Sequence, residues 1–71
     1  MDKVLKEFLS EFTGTFKEFL MYIHFFYQKK IDSENKKLMK DKYIKTRHGV
    51  LKFAIANEKS ITQELSKRNT K

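Results

Sequence analysis

The chain has no cysteine, no proline and no tryptophan, and only two glycines in 71 residues. Without cysteine there is no disulfide and no thiolate zinc site, and the composition fits a reducing, cytoplasmic setting. Without proline, and with only Gly14 and Gly49 to interrupt it, the chain lacks the usual punctuation of loops and linkers. A single small domain over 1–71 is expected. The two histidines, His24 and His48, are far apart and neither sits among acids at ligand spacing, so no metal or other cofactor is expected. There is no glycine-rich phosphate loop, no His-Glu-x-x-His and no cysteine nucleophile. Ser10, Ser33, Ser60 and Ser66 have no histidine at helical spacing. The expectation is a protein that is not an enzyme.

Long hydrophobic runs are also missing. The longest, residues 19–27, is nine residues and contains His24, against the ~20 needed to span a bilayer. No transmembrane segment and no secretory leader is expected.

What the chain does have is divided in two. Six of its seven phenylalanines lie between Phe8 and Phe26. Residues 1–27 carry a net charge of −1, and residues 28–71 carry thirteen Lys or Arg against five acids, a net of +8. Richness in Lys, Glu, Leu and Phe favours helix. The fold class read from this is mainly α, a small domain of three to four helices.

In the first half, Leu5, Phe8, Leu9, Phe12, Phe16, Phe19, Leu20, Ile23, Phe26 and Tyr27 recur at steps of three and four. They form one apolar face on an amphipathic helix over 1–30, with Asp2 placed to cap its start. Thr13-Gly14-Thr15 is a candidate break, because Thr15 to Glu18 reads as a capping box. The stripe stays in phase across it, which favours a continuous or kinked helix over two helices. Unbroken from residue 3 to 30, that helix would be about 42 Å long, against a diameter near ~30 Å for a compact chain of this size. Met21, Tyr22 and Phe25 lie on the other side, so the last turns are apolar all round. Such a helix is normally covered on two sides. The rest of this small chain can wrap it, or a second chain can cover it; because a chain this short is marginal alone, a homodimer is expected, with Phe12, Phe16, Phe19, Met21, Tyr22, Phe25 and Phe26 as interface residues.

In the second half, Ser33 reads as the cap of a basic helix over 33–47, and a C-terminal helix is expected over 50–68. Ser60 offers a further cap, and Glu64 and Arg68 pair at i,i+4. Residues 43–55 also allow a basic hairpin through His48-Gly49, an α+β alternative, although it sets Lys45 against Lys52. Helix is favoured.

The basic half carries the strongest functional signal. On a helix, Lys36, Lys40, Tyr43 and Arg47 form one stripe, with Lys45 and Lys52 nearby. Lysines interleaved with an aromatic ring suit phosphate contact and stacking. Arg47 is expected to be exposed in either reading and is the leading candidate. Lys outnumbers Arg fourteen to two, which argues for point-charge attraction over base-specific recognition. The expected function is a small basic regulator that binds nucleic acid and dimerises through its aromatic helix. The alternatives are a modulator or inhibitor docking its apolar patch on a partner with an acidic surface, and an amphipathic membrane-surface protein. The last is disfavoured because the apolar helix carries few basic residues.

Overall fold

The computed structural model describes residues 3–69 as four helices with no strand among them: α1 (Lys3–Ser10), α2 (Phe16–Ser33), α3 (Lys37–Ala56) and α4 (Glu58–Asn69). The all-α expectation holds and the hairpin over 43–55 does not form. The cap expected at Asp2 lies outside the described residues.

The aromatic segment is two helices, not one. Thr15 caps α2 with a complete capping box: the Glu18 amide donates to Thr15 Oγ1 at 3.2 Å, and the Thr15 amide donates to Glu18 Oε1 at 3.0 Å. Gly14 has φ +147°, where an L side chain is strained, and a Cβ there would come within 3.0 Å of the Phe12 ring. The unbroken phase of the stripe, which favoured continuity, has another cause. The chain folds back at Gly14, so the two halves of the stripe face each other. In a straight helix Phe8 and Phe26 would be about 27 Å apart; their rings meet edge to face with centroids 5.0 Å apart. Phe12 likewise stacks on Tyr22 at 5.2 Å and tilts against Phe19 at 5.4 Å.

The second boundary is also displaced. Ser33 is the last residue of α2, not a cap, and its hydroxyl donates to the Lys30 carbonyl at 3.3 Å. Glu34 closes the connection instead: its Oε1 accepts from the Asn35 and Lys36 amides at 3.0 and 3.2 Å. From Lys37, α3 runs without interruption through His48-Gly49 to Ala56. The boundary expected between residues 47 and 50 falls at Asn57, whose side-chain amide donates to the Phe53 carbonyl at 2.8 Å. Ser60 therefore lies inside α4 and caps nothing.

The core takes Leu5 and Leu9 from α1, Phe19, Ile23 and Tyr27 from α2, Val50 and Ala54 from α3, and Ile61 and Leu65 from α4. Each large side chain fully buried here contributes roughly 1.5–3 kcal/mol. No residue from 28 to 49 is buried. The molecule measures 43 × 20 × 17 Å with a radius of gyration of 13.1 Å, above the ~11 Å of a compact chain of this length. The end of α2 and the start of α3 form a two-helix arm beyond the bundle.

Candidate nucleic-acid interface

The arm, residues 28–47, holds eight Lys or Arg (29, 30, 36, 37, 40, 42, 45, 47) and three acids (32, 34, 41), so 8 − 3 = +5 of the chain's net +7 lies on it. Lysine and arginine keep their charges in water, and a segment without buried side chains leaves the ammonium groups hydrated and reachable.

The six residues singled out in sequence divide between two sides of α3. Lys36, at the N-cap, is exposed; Lys40, Tyr43 and Arg47 are half-buried. Continued along α3 at steps of three and four, that stripe becomes Val50 and Ala54, both buried. It is the face of α3 turned towards α2, polar in its first half and apolar in its second. Lys45 and Lys52, seven residues apart, are exposed and share the opposite face.

Arg47 is accordingly not the free cation that either sequence reading made of it. It donates from Nη1 to Gln28 Oε1 at 2.8 Å, and Gln28 Nε2 donates to Asp32 Oδ1 at 2.9 Å. The Gln28 amide thus relays between a guanidinium and a carboxylate and ties α3 to α2. Lys30 Nζ sits 5.2 Å from the Phe26 ring centre and 5.8 Å from that of Tyr43, a cation–π bracket across the same two helices. Tyr43 therefore has a cation on it already.

Sequence reasoning missed Gln28 and the part that Lys30 and Arg68 play between elements. The last donates to two backbone carbonyls, those of Leu9 and, at 2.9 Å, Phe12. They lie at and just past the end of α1, where intrahelical donors run out; the Leu9 carbonyl also accepts from the Phe12 amide at 3.3 Å. Glu64, expected to pair with Arg68, lies 3.8 Å from Lys67 instead. A signal was present: only two of sixteen cations are arginine. Both donate from Nη1 to a distant segment, Arg47 to the Gln28 amide and Arg68 to the Leu9 and Phe12 carbonyls, a fixed geometry that the planar guanidinium suits better than a flexible ammonium.

The expected interface residues also sort by burial. Phe19 is buried, and Phe12, Phe16 and Tyr22 pack against the core from the same chain. Met21, Phe25 and Phe26 remain exposed, the first two at 49% and 58%. Two ionisable groups are displaced. Hydrogen bonds from the Thr15 backbone and side chain hold the Glu18 carboxyl below its ordinary value, and burial raises the Tyr27 phenol. Among the described residues no group of three or more His, Asp or Glu side chains is placed to hold a metal, and no helix is long and apolar enough to cross a membrane.

Comparison with known proteins found no matching family model, no similar curated protein and no similar solved structure.

Proposed function

We propose that the protein is a non-enzymatic cytoplasmic regulator that binds nucleic acid through phosphate contacts made by the arm. The observation that carries this reading is the placement of +5 of net charge on a segment without a single buried residue. Lysines on a projecting two-helix arm reach backbone phosphates from several sides, and counterion release supplies the affinity. The contact set differs from the stripe read in sequence. Lys36, Lys37, Lys42, Lys45 and Lys52 are exposed on α3 or at its start, together with Lys29 on α2. Arg47 and Tyr43 shape the arm from its inner face. Lysine point charges without a free guanidinium fork favour binding with little choice of base.

Fluorescence anisotropy of labelled duplex and single strands tests this. With three to five phosphate contacts, raising salt from about 50 to 200 mM weakens binding by roughly 100-fold. Lys42→Glu, Lys45→Glu and Lys52→Glu together abolish it at unchanged helicity, and Arg47→Gln acts only by loosening the arm. No anisotropy change at the lower salt with either nucleic acid removes the reading. A pulldown that brings down the same protein with and without nuclease would favour the acidic-partner alternative.

A further inference from the structure

Met21 and Phe25 stand exposed on the outer face of α2, where the Phe25 ring meets that of its neighbour His24 at 5.3 Å. Beside them a cleft is lined by Tyr22, Phe25, Phe26, Gln28, Lys29 and Asp32. At 3.6 residues per turn, Glu18 and Lys29 lie within about 20° of each other and bracket Phe25. Lys17 and Asp32 lie along one flank, about 60° apart. Each end of this face thus carries one cation and one anion, in opposite arrangement.

We propose that this face binds a second copy of the chain, with the two α2 helices antiparallel about a two-fold axis near residue 24. Such an axis keeps each flank on its own side and reverses the direction of the helix. Glu18 then comes level with the partner's Lys29, and Lys17 with the partner's Asp32, on both sides of the axis. The partner's Met21 arrives level with residue 27, the middle of the cleft, and a flexible thioether suits an irregular apolar gap. A parallel pairing would set Glu18 against Glu18 and Lys29 against Lys29. A standard interface takes ~800 Å² per partner, about a seventh of this chain's 5526 Å². Of the arm's lysines the pairing uses only Lys29, and its test needs no nucleic acid.

The test is sedimentation equilibrium of the full chain at tens of micromolar, free of nucleic acid. A dimer is expected, and Phe25→Asp should be a monomer with unchanged helical circular dichroism, while Leu38→Asp stays dimeric. Because the chain has no cysteine, single thiols report the register. Phe25→Cys, next to the axis, should oxidise readily to a linked dimer. Lys29→Cys should not, its twins being about 15 Å apart along the helix, beyond the ~7 Å Cα separation a disulfide allows. A monomeric wild type, a dimeric Phe25→Asp, or rapid self-linking of Lys29→Cys would each overturn the proposal.

Discussion

The bundle and the arm use the same helical building block in opposite ways. In the bundle, four helices converge on side chains such as Phe19 and Ile23 that have no exposed surface, and its aromatic rings meet each other. In the arm, two helices are held by an amide relay, a cation–π bracket and half-buried side chains. A chain this short can bury only about 60% of its surface, and it concentrates that burial at one end. The other end is left to carry charge. The lesson is that a small protein can separate its buried core from its charged surface along one helical hairpin.

The largest expected effect tests the bundle side. Phe19→Ala removes a fully buried ring and should cost about 3–5 kcal/mol in denaturant unfolding, whereas Leu38→Ala, at 82% exposure on the arm, should stay within about 0.5 kcal/mol. Equal costs would break the comparison. Next comes Arg68→Met, which removes a charged donor from the Leu9 and Phe12 carbonyls and should cost roughly 1.5–3 kcal/mol. Arg68→Lys should recover only part of it, since a flexible ammonium replaces the planar, pre-organised guanidinium.

The two glycines should respond with opposite sign. Gly14→Ala forces a side chain into a positive-φ position against the Phe12 ring and should destabilise by about 1–2 kcal/mol. Gly49→Ala meets open space in the middle of α3 and should stabilise by roughly 0.5–1 kcal/mol. Thermal unfolding of both variants checks the pair. Hydrogen exchange sharpens the contrast without any substitution. Amides of 28–47 should exchange through local openings well below the global unfolding free energy, and those around Ile23 and Ile61 only near it. Uniform protection along α2 and α3 would mean the arm is no weaker than the bundle.

The smallest effect is a pH dependence at the joint of α1 and α2. The folded Glu18 carboxyl titrates below its ordinary 4.5. Its contribution is therefore fully present above that value and is lost as pH falls through the lower folded one. Thr15→Ala should flatten this part of the acid limb of the stability curve, because it removes the hydroxyl that bonds the carboxylate.

Some of this was legible in the residues. The helical class followed from composition and periodicity. The capping box at Thr15 was readable, and so were the apolar residues of α1 and α2 that now form the core. The break at Gly14 was not, because a stripe in phase across a glycine looks the same whether the helix continues or folds back on itself. The Lys36 to Arg47 stripe was correctly seen as one face of a helix. That it faces α2 became clear only from the buried Val50 and Ala54 that extend it and from the Arg47 bond to Gln28. The parts that Gln28 and Arg68 play were missed because their partners are an amide 19 residues away and carbonyls 56 and 59 residues away, and no local pattern reports such distances.

By itself, then, the sequence determined a cysteine-free helical chain with an aromatic first half, a basic second half and a capped start to α2. Those properties rest on propensity, charge and i to i+4 neighbours, all local. Only the tertiary structure decided that the aromatic stripe closes on itself, that the arm extends beyond the bundle, and that the two arginines bond distant segments while most of the arm's lysines stay exposed. Periodicity tells which residues share a face; what that face meets depends on how distant helices pack.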